Sequence, residues 1–389
     1  MDYLTTIVVF FLLLYALLWI SRTSKKKAAP QAGGAWPLIG HLHQLGGPQP
    51  PHIVLGNMAD KYGPIFTIKM GMRRALVVSN WEMAKECLTT NDKAFANRPK
   101  FLAGQILAYD GAMFGFSPYG PYWRELRKIA TLELLSSHRL EMQKNVRESE
   151  VRLSLKELYK YWDRKKSSSN SSKVLVEMKS WFGDITINVI CRIIVGKSVG
   201  YATTNGDEEE SIESWKKQLV EFFDWIGRFV VSDALPFLRL LDMRGPVRTM
   251  KKIAKDLDHV VEGWLEEHRQ KRVNGDEVIK GEDFMDLMLS IFDEAHAAQL
   301  GRDSGTLIKA TCLGLILAAS DTTMVTLTWI LSLLVNNPKL TMATLLHGFD
   351  FTTPSDEPID MTESIGLTNL RATPLHVLLN PRLPTHLYL

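Results

Sequence analysis

The run Leu317–Thr323 places an acid beside alcohols in the middle of a long apolar stretch, with the sequence Leu-Ala-Ala-Ser-Asp-Thr-Thr. A hydroxyl inside a helix can donate to a carbonyl one turn earlier, which loosens the backbone ladder and makes a groove for a small ligand. Asp321 beside Thr322 would then form a proton relay next to that groove. The same residues also suit a polar helix–helix contact inside a core. Taken alone, the run favours this second interpretation.

Trp123 and Arg127 are the second pair that could carry chemistry. They are four residues apart, so both project from one face of a predicted helix. An indole N–H and a guanidinium together form a donor pair suited to a carboxylate. The alternative is an ordinary amphipathic helix that holds its basic residues in water, and the pair alone favours that alternative.

Hydrophobic periodicity predicts the elements that would position these residues. Two short strands are predicted at Ile65–Met70 and Arg74–Ser79, joined around Gly71. From about residue 80 the pattern is helical. The predicted helices are Trp81–Thr89, Tyr122–Leu134, Glu141–Trp162, Val176–Val195, Ile212–Val231, Val247–Arg272, Glu282–Ala298 and Leu307–Asn337, followed by the end of a helix at Thr341–Phe351 and then turns and short strands.

The helix Leu307–Asn337 carries only two charges, Lys309 and Asp321, and its apolar character also allows a membrane span. In that case Asp321 and its neighbouring alcohols would lie near the bilayer centre, where an aspartate costs about 2.5–3.5 kcal/mol. We therefore expect a helix buried through the middle of a soluble body.

Composition excludes several classes of protein. The chain has 389 residues, 46% of them hydrophobic, so a sizeable core can form. A net charge of +3 without a basic stripe does not favour nucleic-acid binding. The three cysteines, Cys87, Cys191 and Cys312, are far apart and fit a reducing compartment better than a disulfide framework.

The N-terminus predicts a membrane anchor. The residues from Tyr3 to Ser21 carry no charge, and as a helix they would extend about 28 Å, close to the hydrocarbon thickness of a bilayer. Arg22 and Lys25–Lys27 follow at once, which places them in the cytosol. We therefore predict an uncleaved transmembrane signal anchor at residues 1–21, and a basic stop with a Pro/Gly-rich hinge at residues 22–50.

Together these features resemble the cytochrome P450 superfamily, specifically its plant microsomal branch. The resemblance runs in order along nearly the whole chain. It rests on the anchor with its hinge, Trp36-Pro37-Leu38-Ile39-Gly40, Phe95–Pro99, Pro118–Ile129, Ala318–Thr323, and the tail segments Leu345–Phe351 and Met361–Leu375.

The resemblance implies a mainly α fold with small β-sheets and a role for each candidate residue. Trp123 and Arg127 would bind haem propionates, and Ala318 and Ala319 would line the groove that holds dioxygen. Asp321 and Thr322 would handle protons for iron-bound dioxygen. Ala319 stands where the family usually has glycine, a mild departure that would narrow the groove.

A larger departure is an absence from the sequence. The family requires a Glu-x-x-Arg helix and a Phe-x-x-Gly-x-Arg-x-Cys-x-Gly loop, whose thiolate is the axial ligand of the iron. After the Ala318–Thr323 run the sequence contains neither, and no metal ligand is predicted. Glu266 and Arg269 have the helix spacing but precede the run, and Cys312 lies within the oxygen helix itself.

We therefore expect an incomplete P450 fold, with an internal deletion near Leu340 between a body at residues 51–340 and a family tail at residues 341–389. By resemblance the function is hydroxylation of a lipophilic plant secondary metabolite at the endoplasmic reticulum membrane. Haem would be the cofactor, and electrons would come from NADPH through cytochrome P450 reductase. This chain is predicted to be inactive. The alternative is a non-catalytic, membrane-anchored splice or gene-model product that binds lipophilic ligands or partner proteins.

Overall fold

The computed structural model describes residues 29–167, 173–200, 207–236, 238, 245–274, 283–336, 348–355 and 357–388, with backbone only at 207–213. The chain divides into two compact units, Met1–Asp92 and Lys93–Leu389. The anchor predicted for residues 1–21 and the proposed junction at Leu340 both lie outside the described residues.

The first unit is built on a β-hairpin. Its strands β1 (Ile65–Met70) and β2 (Arg73–Val78) are antiparallel, with Met70 opposite Arg73, which confirms the predicted hairpin. Gly71 opens the two-residue loop with φ +61°, as a type II′ turn requires. The unit's helices are α1 (Leu42–Leu45), α2 (Pro51–Tyr62) and α3 (Trp81–Leu88).

The second unit is mainly helical, as the sequence predicts. Its helices are α4 (Asp92–Phe95, starting at the boundary), α5 (Leu102–Leu107), α6 (Pro121–Ile129), α7 (Ser137–Met142), α8 (Lys144–Ser167), α9 (Met178–Val195), α10 (Asp207–Gly227), α11 (Val231–Ala234), α12 (Pro246–Val273), α13 (Phe284–Ile291), α14 (Glu294–Gln299) and α15 (Ser304–Asn336). A π-helical turn, Ala130–Leu134, follows α6, and a 3₁₀ turn spans Thr385–Leu387.

The long helix α15 passes through the core of this unit. Its N-terminal half is buried at Leu307, Ile308, Cys312 and Ile316, each 0% exposed, and these side chains pack with those of α5, α9, α10, α12 and α13. Within the described part of the chain, α15 is the one helix long and apolar enough to cross a membrane, and half of its most apolar window is buried inside the protein.

A three-stranded antiparallel sheet closes a second core beside the C-terminal half of α15. Its strands are β3 (Val174–Glu177), β4 (Phe349–Thr352) and β5 (His376–Pro381), in the order β3-β5-β4. Val174 and Val176 point inwards, alternating with exposed Leu175, and pair with Leu379 and Val377. The sheet covers a cluster of aromatic side chains on α8 and α9.

Several predicted helices are wrong in part, among them Glu141–Trp162, which is interrupted at Gln143, and Ile212–Val231, which is interrupted after Gly227. Residues Val176–Glu177 end strand β3, and Phe349–Phe351 form most of β4, because both stretches find strand partners in β5. The predicted helix Glu282–Ala298 is two helices, since Asp293 leaves helical geometry to accept a hydrogen bond from the backbone N–H of His296 at the start of α14.

Candidate functional site

The Ala318–Thr323 run lies in the middle of α15, which stays α-helical from Ser304 to Asn336. The side-chain hydroxyls donate hydrogen bonds to main-chain carbonyls one helical turn earlier. Ser320 Oγ donates to the carbonyl of Ile316 at 2.8 Å, and Thr322 Oγ1 donates to that of Ala318 at 2.7 Å. The helix therefore accommodates these bonds without interrupting its backbone ladder.

Asp321 and Thr322 occupy different faces of α15, since consecutive helical residues are about 100° apart. Asp321 is 9% exposed, and its carboxylate accepts a hydrogen bond from Thr368 Oγ1 at 2.8 Å. Burial raises the pKa of this carboxyl, against the opposing effects of the Thr368 hydrogen bond and the charge of Lys179. Asp321 therefore bonds to the C-terminal segment, while Thr322 is exposed.

An exposed stripe runs along α15 through Ala318, Thr322, Thr326 and Leu333, which we call the open face. These positions follow the helical repeat, so they lie above one another on the helix surface. Ala319, one residue further round, is half-buried. The structure thus brings Ala318 and Thr322 together on a surface of small side chains and hydroxyls that a flat ligand could approach.

Trp123 and Arg127 meet on α6, as their spacing predicts. The Arg127 guanidinium lies 5.2 Å from the centroid of the Trp123 ring. The centroid of the Tyr119 ring lies 5.6 Å from the centroid of the same Trp123 ring. Leu126 and Ile129 bury the opposite side of the helix. Arg127 is exposed and Trp123 is half-buried, so this pair presents a cation and an aromatic ring to an incoming anion.

Residues 109–113 link α6 to the start of α15. Tyr122 Oη on α6 donates to the carbonyl of Ala112 at 2.6 Å, and Arg302, just before α15, donates to that of Asp110 at 2.7 Å. Tyr109 and Asp110 have φ of 52° and 50°, a left-handed conformation that ordinary side chains disfavour. Several long-range contacts are therefore needed to hold this turn.

Sequence reasoning missed a cavity of about 380 Å³ beside the C-terminal half of α15. Its walls combine Val325 and Trp329 of α15 with Lys179 and Arg371. Arg371 donates to Ser332 Oγ at 3.0 Å, and Trp329 Nε1 donates to the carbonyl of Asn369 at 2.6 Å. The segment around residues 368–371 is far from α15 in sequence, and no local pattern indicates that the two come together.

Asp321→Asn is expected to raise the melting temperature at pH 7 by about 2 °C. The buried carboxyl has a raised pKa, so its charged form destabilises the folded state at neutral pH, whereas the amide can still accept from Thr368. This penalty disappears as the pH falls below the unfolded-state pKa, near 4. Melting curves of the full chain between pH 4 and 8 should therefore converge at the acidic end.

Asp360→Asn is the matched control, for which we expect a change in melting temperature of the opposite sign. The hydrogen bond from Thr362 lowers the pKa of Asp360, so its charged form contributes stability that is lost as the pH falls. This variant should melt below the wild type at pH 7. A lower melting temperature for Asp321→Asn at pH 7 would contradict the assignment of Asp321 as a destabilising buried carboxylate.

Comparison with known proteins places this arrangement in context. The family model described as Cytochrome P450 matches residues 30–344. Strychnine-10-hydroxylase from Strychnos nux-vomica is 50% identical over 335 residues, which are 85% of this chain and 63% of that protein. Demethylepipodophyllotoxin synthase from Sinopodophyllum hexandrum is 43% identical over 393 residues, covering 98% of this chain and 74% of that protein.

Two further comparisons concern length and fold. Flavonoid-6-hydroxylase from Ocimum basilicum is 36% identical over 530 aligned positions, covering 100% of this chain and 98% of that protein. A solved zebra fish cytochrome P450 with progesterone has a TM-score of 0.55 at 19% identity, over 75% of this chain and 61% of that one, which supports the fold alone. The chain thus spans less than two thirds of several proteins that it matches.

Proposed function

The chain belongs to the cytochrome P450 family, and on that premise we propose that it is the oxygen-side portion of a plant haem-dependent monooxygenase. The substrate class would be a lipophilic secondary metabolite, because relatives bear the names of strychnine and flavonoid hydroxylases. The observation that carries the proposal is the open face of α15, where Ala318 and Thr322 lie exposed on a helix otherwise set in the core.

The candidate residues fit one side of a haem group and not the other. Half-buried Trp123 and exposed Arg127 form a pair for a propionate, and Ala318, Ala319 and Thr322 give a surface of small residues for the oxygen side. The donor set for the iron does not fit. Cys191 and Cys312 are 0% exposed, and burial raises the pKa of both thiols. Neither can serve as a thiolate ligand at the open face.

We further propose that the missing ligand loop reflects an internal deletion near Leu340. In support, the alignment with the basil relative runs over 530 positions, whereas this chain has 389 residues, so that relative carries long stretches without a counterpart here. The match to the family model also stops at residue 344, close to the proposed junction. Without the axial thiolate, electron donation that favours O–O cleavage is lost. We therefore propose that this form of the chain has no monooxygenase activity.

The carbon-monoxide difference spectrum of the reduced, full chain tests this proposal. We expect no thiolate-type Soret band, because the sequence lacks the axial cysteine loop and the buried thiols of Cys191 and Cys312 do not serve the open face. A full-length relative expressed and reduced in the same way is the positive control. A thiolate-type band from this chain would contradict the proposed inactivity.

A second candidate function is non-catalytic binding of lipophilic molecules by a membrane-anchored protein. The cavity of about 380 Å³ beside Trp329, with its apolar and charged walls, favours this function. A folded chain that shows no haem absorbance and still retains a lipophilic ligand would support it over the first candidate.

The proposed setting follows from the same family. Residues 1–21 would anchor the chain in the endoplasmic reticulum membrane, with the residues that follow them in the cytosol. In the complete enzyme, NADPH would supply electrons through cytochrome P450 reductase. The membrane anchor and the reductase are parts of this proposal, as is the lipophilic substrate.

A further inference from the structure

His268, Asp283 and Asp286 form a buried cluster in the second unit, where α12 meets the start of α13. The three candidate ligand atoms all lie within 4.8 Å of one another. The side chains of His268 and Asp283 are 1% and 7% exposed, and Asp286 is 7% exposed as a residue. One imidazole and two carboxylates so close together, and so poorly hydrated, are stabilised by positive charge, which a proton on the imidazole or a bound cation can supply.

The hydrogen bonds of His268 leave Nε2 as the candidate ligand. Nδ1 lies 2.6 Å from the carbonyl oxygen of Trp264, which can only accept, so Nδ1 carries a proton. Nε2 then faces Asp283 Oδ2 at 2.9 Å. In neutral imidazole this nitrogen presents a lone pair to a carboxylate oxygen, and only a proton or a metal ion makes that contact favourable. A histidine held through its other N–H by a carbonyl is also the usual outer-shell arrangement of a metal ligand.

Asp286 supplies an independent observation. Its Oδ1 is buried and has no hydrogen-bond partner. Arg272 Nε lies 3.7 Å from this oxygen and has no hydrogen-bond partner either, while another nitrogen of Arg272 donates to the main-chain carbonyl of Asp286. A carboxylate oxygen that is desolvated but not hydrogen-bonded is costly, and coordination would offset that cost.

The carboxylate of Asp283 is already fixed in place. Its Oδ1 accepts from the backbone N–H of Asp286 at 2.9 Å, as the N-cap of α13. Gly196 approaches from α9, and a Cβ there would lie 2.8 Å from Asp283 Oδ2. Asp283 also lines a pocket of about 120 Å³ together with Glu133 and Arg139, which gives small ions a route to the cluster.

We propose that His268 Nε2, Asp283 and Asp286 bind one divalent transition-metal ion, with zinc the best match to a nitrogen and two oxygens. Tetrahedral ligand atoms at about 2.1 Å from zinc are about 3.4 Å apart, so small rotations of the carboxylates suffice. The ion would replace a proton on His268 and clamp α12 to the first turn of α13. This site does not involve haem and goes beyond the proposed function.

Zinc titration of the full chain, purified in detergent and treated with a chelator, tests the site. We expect one zinc ion per chain, a rise in melting temperature on adding zinc, and an X-ray absorption spectrum with nitrogen and oxygen ligands that includes an imidazole. Asp286→Asn and His268→Gln should each lower the zinc affinity at least tenfold and remove the thermal shift.

His259→Gln is the matched control, because His259 lies on the same helix but is exposed. It should bind zinc as the wild type does. Wild-type protein that takes up no stoichiometric zinc, or zinc without imidazole ligation, overturns the proposal. An unchanged zinc affinity in a folded Asp286→Asn variant, in which the side-chain volume is kept, also overturns the proposal. These wild-type measurements decide the question even where a variant fails to fold.

Discussion

Inserting the segment that we propose was deleted near Leu340 is expected to turn a preparation with no thiolate-type Soret band into one that has it. The donor is the corresponding segment of the basil relative, which aligns over 530 positions against the 389 residues of this chain, and it is placed between Leu340 and Thr341. The insertion would supply the axial cysteine loop and cover the open face of α15. Because α15 and α6 already carry the other proposed haem contacts, the insertion should restore the thiolate-type band.

The matched control is the same insertion with its axial cysteine replaced by serine. This variant should fold to the same extent but give no thiolate-type band, since serine is not a thiolate ligand. The carbon-monoxide difference spectrum, recorded with the haem content of each preparation, separates the cases. A chimaera that folds and binds haem without the band would contradict an internal deletion as the cause of inactivity.

Lys309→Met is expected to lower the free energy of unfolding by about 3 kcal/mol. The Lys309 ammonium lies 2.7 Å from Asp258 Oδ1 and 2.6 Å from Glu262 Oε2, and its side chain is 11% exposed. Burial disfavours its charge, but the hydrogen bonds to both carboxylates outweigh burial and raise its pKa. Without the ammonium, the carboxylates of Asp258 and Glu262 lose the cation that they share, although Asp258 still accepts a hydrogen bond from Tyr109 Oη at 2.8 Å.

The size of this loss of stability depends on how well water can solvate the two carboxylates once the ammonium is gone. Asp258 and Glu262 are 39% and 46% exposed, so the loss falls at the lower end of the range for breaking a buried ion pair. Urea unfolding of the full chain, followed by tryptophan fluorescence, measures it. Lys251→Met, an exposed change on α12, the helix that carries Asp258 and Glu262, should cost less than about 0.5 kcal/mol. A loss below 1 kcal/mol for Lys309→Met would show that the network contributes little.

The elements that the sequence predicts well are those whose evidence is local. The hairpin around Gly71 follows from strand alternation and a glycine turn, and α15 follows from an apolar run too long for a strand. The contact between Trp123 and Arg127 follows from spacing on one helix. In each case the physical cause lies within a few turns of the chain.

The features that escape prediction depend on residues far apart in sequence. Asp321 and Thr322 are neighbours and were expected to act together, yet Thr368 Oγ1 bonds to the buried Asp321 while Thr322 is exposed. The left-handed turn at Tyr109 and Asp110 opposes the preference of both residues, and Arg302 helps to hold it. No local pattern indicates a conformation that contacts with distant residues impose.

The order of strands in the three-stranded sheet has a consequence for synthesis of the chain. β5 is the central strand, so β3 cannot pair until residues 376–381 have left the ribosome. Until then Val174 and Val176 face no partner strand, and an unpaired strand of this kind favours association with other chains. A change of reading frame anywhere between Asn336 and Phe349 would remove both partner strands. Chains made from such a transcript should be degraded rather than accumulate.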